Sequence, residues 1–211
     1  MIKDITDTKI MRRNSMNQTP KFDTDFITIY ENKIDAEHII NLINLVNEGS
    51  HKLEKVERRP HLTMELPAVT HEKDNHAAME LRSIFYNILD DSLIDFLKRK
   101  NINKVKQAML IDGDAIGDNF IIVSKMSVDT PEMGVHQDIN DDHPLSDSFI
   151  VMVYINDNFE NGEIYFPERN FVYKPRSGDI VYYKRQLKHG VNAVTKGERY
   201  TIGTSFAGPI E

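Results

Sequence analysis

Hydrophobic positions change their period near the middle of the chain. In the N-terminal half two stretches follow the 3.6-residue period of a helix. Asp35 is placed to cap the first, Ile39, Ile40, Ile43 and Val46 give its apolar face, and Gly49 ends it after about Asn47. The second, Ala77 to Arg99, carries a wide stripe of Leu81, Ile84, Phe85, Ile88, Leu89 and Phe96. Asp90-Asp91-Ser92 is a point at which it could divide into two helices. The C-terminal half is punctuated differently. Short β-branched and aromatic runs cover Phe120 to Met126, Phe149 to Ile155, Glu163 to Phe166, Asp179 to Tyr183, Gly190 to Val194 and Arg199 to Phe206. Gly, Pro, Asp and Asn separate them. Two earlier runs, Phe26 to Tyr30 and Val105 to Ile111, also read as strands.

Many short strands with such turns predict a sandwich or jelly roll, and the fold class is α+β, with the N-terminal helices packed on the larger sheet. Residues 1–21 are polar and unpatterned and read as a flexible N-terminal arm; residues 22–211 read as a single domain. His51 to Asn75 is charged and proline-interrupted. It reads as a loop with solvated histidines (His51, His61, His71, with His76 just beyond) or as a substrate lid, with Leu62 to Leu66 as an edge strand. Asp112-Gly113-Asp114 reads as a turn, because the remaining calcium ligands of an EF-hand loop are missing.

Composition narrows the chemistry. The 211 residues contain no cysteine, which excludes disulfides and thiolate-bound zinc. No apolar run is long enough for a transmembrane helix or a secretion signal, so the expected location is cytoplasmic, with no membrane partner. A net charge of −7 disfavours nucleic acid, although Arg58 and Arg59 or Lys98 to Lys106 offer local basic patches.

Candidate chemistry gathers between Gly134 and Arg199. His136 and Asp138 stand two residues apart, on the same side of an extended chain. His189 follows about fifty residues later, after several strand-like runs that can bring it back beside them. Two histidines and one carboxylate with open coordination positions suit non-haem Fe(II). His143 is an alternative ligand in an acidic loop. Arg199, ten positions after His189, offers a permanently charged fork that matches a carboxylate, and Thr201 points the same way.

His136-x-Asp138, the distant His189 and Arg199 resemble the Fe(II)/2-oxoglutarate-dependent dioxygenases. The wording is most similar to the prolyl 4-hydroxylase branch in Val153-Tyr154-Ile155-Asn156-Asp157, Asn161-Gly162-Glu163, Phe166-Pro167-Glu168, Lys174-Pro175-Arg176-Ser177-Gly178-Asp179 and His189 through Arg199. It is dense from Phe120 to Gly208 and fainter from Phe26 to Asn47. The resemblance implies a double-stranded β-helix (jelly roll) core. It implies His136, Asp138 and His189 as Fe(II) ligands. Arg199, Tyr154 and Thr201 would then hold the distal carboxylate of 2-oxoglutarate, and ascorbate would serve as reductant. The implied reaction couples 2-oxoglutarate decarboxylation to succinate with hydroxylation of a prolyl residue in a peptide or protein.

The substrate side departs from that branch. Met126 and Ser127 stand where relatives commonly carry a tyrosine, Ser146-Asp147-Ser148 where peptide-binding members carry an arginine, and Ser205-Phe206 near a usual tryptophan. Hydroxylation of a free amino acid or small metabolite is therefore an alternative. Nucleic-acid demethylation fits less well, because Ser205 replaces a second arginine. A non-catalytic jelly-roll binding module is the reading from a different class.

Overall fold

Alternating side chains along one large antiparallel sheet feed two separate cores. The structure, a computed structural model, describes residues 18–57, 59–67, 72, 74–102, 106–107, 120–138 and 148–207. The first elements are β1 (Phe22–Asp23), β2 (Ile27–Glu31), α1 (Ala36–Glu48), β3 (Glu54–Lys55), β4 (Leu62–Pro67), α2 (His76–Arg99) and β5 (Lys106–Gln107). Next come β6 (Phe120–Ser127), β7 (Met133–His136), β8 (Phe149–Tyr154), β9 (Glu160–Asn161) and β10 (Ile164–Phe166). The last are β11 (Phe171–Tyr173), β12 (Asp179–Lys184), β13 (His189–Val191), β14 (Val194–Lys196) and β15 (Glu198–Ala207). The turn expected at Asp112-Gly113-Asp114, most of the strand expected over Val105 to Ile111, His71, His143, Arg58, Ser146-Asp147 and most of the N-terminal arm lie outside the described residues.

Among the described residues the large sheet has the order β1-β2-β12-β8-β15-β6-β4-β3, with β5 also paired to β15; a four-stranded sheet has the order β11-β10-β13-β7, and β9 pairs β14. The protein is mostly β, with two α-helices among the described residues. No helix among the described residues is long and apolar enough to cross a membrane.

The period-2 alternation assigns the faces. Val151 and Val153 on β8, Ile180 and Tyr182 on β12, and Tyr200 and Ile202 on β15 pack with α1 and α2 in one core. Their neighbours Tyr154, Val181 and Tyr183 turn the other way and pack with Ile164, Phe166 and Val191 of the small sheet in a second core. The helices therefore cover one face of the large sheet, and the small sheet covers the other.

The first helix starts and ends where its caps predict. Asp35 accepts from the His38 amide at 3.0 Å, and the Gly49 amide returns to the carbonyls of Leu45 and Val46. The second helix spans the predicted stretch and does not divide at Asp90-Asp91-Ser92. It runs unbroken because Asp90 and Asp91 face solvent while buried Ser92 donates to Leu89 O at 3.0 Å and meets the Tyr182 hydroxyl at 2.7 Å. Phe96 then stacks on Tyr182, with ring centroids 4.5 Å apart. Burying an aromatic of this size contributes about 2 kcal/mol or more, several times any single helix propensity.

Leu62 to Leu66 lies within β4, which pairs along its length with β6 and is covered on its other side only at Leu62 and Thr63 by the two-residue β3, so it is the outermost long strand of the sheet, as expected. Another expectation changes. The run from Gly190 to Val194 divides into β13 and β14, which belong to different sheets. A short 3-10 turn, Pro167–Arg169, interrupts the strands and ends at Asn170, whose φ is +47°.

Candidate metal centre

The histidines meet because their strands do. His136 on β7 and His189 on β13 are directly opposite in the antiparallel register, and their ring centroids lie 4.3 Å apart. Asp138, two residues past His136, brings its carboxylate to 3.8 Å from His136 Nε2 and 3.5 Å from His189 Nε2. One ligating atom from each of the three lies within 4.8 Å of the others.

The ring orientations follow from backbone acceptors. His136 Nδ1 lies 2.9 Å from Gly134 O, and His189 Nδ1 lies 3.0 Å from Leu187 O. A carbonyl can only accept, so each Nδ1 carries the proton and each Nε2 presents a lone pair toward Asp138. This is the arrangement a divalent metal requires of imidazole. Burial also holds the His189 imidazole below its ordinary basicity, which favours the neutral, ligating form.

Two residues that the sequence pattern did not single out hold Asp138, one by its backbone and one by its carboxylate. Arg185 is buried, and its Nε and Nη2 both donate to the Asp138 carbonyl, at 3.1 and 2.5 Å; the Asp138 amide returns to Arg185 O at 3.3 Å. The Tyr183 hydroxyl donates to Asp138 Oδ2 at 3.3 Å and lies equally far from His189 Nε2. Burial, reinforced by the Asp138 charge, pushes the Tyr183 phenol well above its usual pKa, so it stays a proton donor. The available signal was spacing: Tyr183 shares a strand face with Val181 and sits six residues before His189.

Arg199 and Tyr154 form the second part of the site. Both are buried on the face of the large sheet that turns toward the small one. The guanidinium carbon of Arg199 lies 4.9 Å from the Tyr154 ring centroid. Its Nη1 contacts the sulfur of Met126 at 3.3 Å, and Met126 is its cross-strand partner on β6. Arg199 Nε and Tyr154 Oη are buried without any hydrogen-bond partner. Thr201 is buried directly opposite Tyr154 in the register. Burial raises the Tyr154 pKa although Arg199 opposes it, which keeps the hydroxyl a donor. Two buried donors without acceptors are costly, on the order of 1–3 kcal/mol each, unless a ligand supplies lone pairs. A carboxylate suits both, and the donor set fits the distal end of a short dicarboxylate.

The loop histidines divide. His76 is exposed, and His51 pairs with Asp74 at 2.8 Å. His61 corrects the expectation of a solvated histidine: it is 7% exposed, and its Nδ1 has no partner. It stands one residue before β4, near enough to Arg199 and His136 for their charges to bear on it.

No family model matches the sequence, and no curated protein sequence matches it. Solved structures do share its fold. One is a viral collagen prolyl hydroxylase from Paramecium bursaria Chlorella virus-1 in complex with 2OG. It is 17% identical with a TM-score of 0.55, over 88% of this chain and 97% of that one. Another is a Pseudomonas putida prolyl-4-hydroxylase, 12% identical with a TM-score of 0.56, over 87% and 93% of the two chains. The non-heme alpha-ketoglutarate-dependent carbocyclase SnoK from nogalamycin biosynthesis is 9% identical with a TM-score of 0.57, over 99% and 87%. At 9–17% identity these likenesses establish a shared fold: the chain is built like these 2OG-Fe(II) oxygenase structures.

Proposed function

We propose that this protein is an Fe(II)- and 2-oxoglutarate-dependent hydroxylase. Its two facing sheets would form the double-stranded β-helix of one catalytic domain. The observation that carries the reading is a metal-ready triad beside a buried Arg199–Tyr154 pair whose Nε and Oη have no acceptor. His136, Asp138 and His189 hold Fe(II), with the carboxylate offsetting part of the metal's charge. Arg199, Tyr154 and Thr201 hold the distal carboxylate of 2-oxoglutarate and so aim its other end at the metal. Bound together, metal and co-substrate supply activation of dioxygen: 2-oxoglutarate, oxygen and a substrate C–H bond become succinate, carbon dioxide and a C–OH group.

The remaining chemistry belongs to the chain. Arg185 fixes the Asp138 backbone, Tyr183 keeps a proton on its oxygen beside Asp138 and His189, and the two Nδ1–H···O=C bonds fix ring orientation. Ascorbate would serve as the reductant that keeps the iron ferrous.

Two substrate readings stand. A prolyl residue in a peptide or protein is supported by the prolyl hydroxylases among the similar folds. A small-molecule substrate is supported by the buried, unpartnered polar atoms of Thr63 and His61 beside the site. The deciding assay is succinate release from 2-oxoglutarate with Fe(II), ascorbate and air, with and without proline-rich peptides and free proline. We expect turnover that depends on Fe(II) and vanishes in His189→Ala. Folded protein that neither binds metal nor releases succinate would leave the binding-module reading instead.

A further inference from the structure

The polar floor of the site extends beyond the residues assigned to the co-substrate. Thr63, Ser124, Thr201 and Tyr154 are successive cross-strand partners on β4, β6, β15 and β8. Their strand neighbours Met64, Val123, Ile202 and Val153 all enter the helix-side core, so these four turn toward the small sheet. All four are buried, Thr63 at 3%, Ser124 at 8%, Thr201 at 1% and Tyr154 at 0% exposure. Such partners stand roughly 5 Å apart, so the row is a continuous strip of four hydroxyls.

One end of the strip, Tyr154 and Thr201 with Arg199, is accounted for by the co-substrate. The other end is not. Thr63 Oγ1, His61 Nδ1 and Arg59 Nη1 are all buried without a hydrogen-bond partner. Arg59 also forms no ion pair among the described residues. His61 is held neutral, its pKa pulled down to about 4 by burial first and then by Arg59, Arg199 and His136. A neutral imidazole, a hydroxyl and an uncompensated guanidinium within five residues make a cationic, hydrogen-bonding group whose missing element is an anion. Its distance sets a size limit: β4 is two strand spacings from β15, or about 10 Å from Arg199.

We propose that Arg59, His61 and Thr63 bind the carboxylate of a small carboxylic acid substrate, placing a nearby C–H bond at the metal. This rests on the hydroxylase reading and names the substrate class for it. A long peptide does not need such an anchor within one pocket length of the reacting carbon, whereas a free acid of a few carbons does. Specificity then comes from a site that leaves Arg59 unpaired when the acid is replaced by its amide.

The test is binding without turnover. Protein loaded with Mn(II) and 2-oxoglutarate, without oxygen, is titrated calorimetrically with the amino acids and a set of short carboxylic acids, each against its amide. We expect at least one acid to bind with its amide tenfold or more weaker. Arg59→Gln should remove that preference while leaving Mn(II) and 2-oxoglutarate affinity in place. Thr63→Val, close in shape, should weaken the acid a few-fold. Equal binding of acid and amide, a preference that survives Arg59→Gln, no acid binding at all, or binding only of a C-amidated prolyl peptide would each overturn the proposal. If Mn(II) and 2-oxoglutarate themselves fail to bind, the hydroxylase reading falls first and this inference with it.

Discussion

His61 shows what one buried side chain implies when nothing pairs with it. In the folded chain its pKa lies at about 4, with burial the leading cause, whereas an unfolded chain returns it to about 6.5. Between those values the unfolded state binds more protons, so stability rises with pH. The contribution is therefore complete above about pH 6.5, falls as pH drops toward 4, and is fully lost at lower pH. The size is about 3 kcal/mol. We expect metal-free protein to lose about that much more stability between pH 7 and pH 4 than His61→Gln does, as read from urea unfolding. Parallel pH profiles for the two proteins would show that His61 is hydrated in solution. The same reasoning explains why sequence alone misplaced this residue. Its run, Arg59-Pro60-His61, carries turn chemistry, whereas its surroundings in the fold include Arg199 and His136, residues distant in sequence.

At the scale of elements, the site depends on one turn as much as on any strand. Gly178 precedes β12; its amide donates to Tyr154 O at 2.8 Å, and its carbonyl accepts from the Asn32 amide at 3.0 Å. Its φ is +87°, and a Cβ there would stand 1.9 Å from Asn32 O, a backbone atom that cannot step aside. Gly178→Ala should therefore cost about 2–4 kcal/mol, from strain plus overlap, and loosen Tyr154 with it. Chemical denaturation gives the stability, and a change below about 1 kcal/mol would mean that the turn relaxes freely. Local chemistry of this kind was legible: Arg176-Ser177-Gly178-Asp179 reads as a turn into a strand. So were the caps of α1 and the strand character of β6, β8, β12 and β15. Three things were not. The continuity of α2 depends on Ser92 reaching Tyr182, a contact 90 residues away in sequence. The split between β13 and β14 depends on which sheet each joins. The clamp of Arg185 on Asp138 links residues 47 apart. Periodicity reports the environment of neighbours in sequence, and each of these is set by a neighbour in space.

For the whole molecule, the unusual quantity is positive charge placed inside an acidic protein. The net charge is −7, yet Arg199 and Arg185 are both buried beside the triad, with Arg59 half-buried nearby. Arg185 has a backbone acceptor, whereas Arg199 has only a sulfur and an aromatic ring. Folding thus carries the desolvation of a guanidinium that is better matched in the liganded protein, and ligands should return stability. A ligand at a hundred times its Kd adds about 2.7 kcal/mol, which in a chain of this size raises Tm by roughly 5–10 °C. We expect Mn(II) to raise Tm, and 2-oxoglutarate to raise it further once the metal is present, because the metal holds one end of it and Arg199 the other. Arg199→Ala should keep the increment from Mn(II) and lose most of that from 2-oxoglutarate. Tyr154→Phe should lose part of the second increment, consistent with one hydrogen bond of about 1 kcal/mol. His189→Ala should lose both, since the co-substrate then has no metal to chelate. Differential scanning calorimetry separates these patterns. If Arg199→Ala erased the Mn(II) increment as well, Arg199 would be a prop for the triad rather than the anchor of the co-substrate.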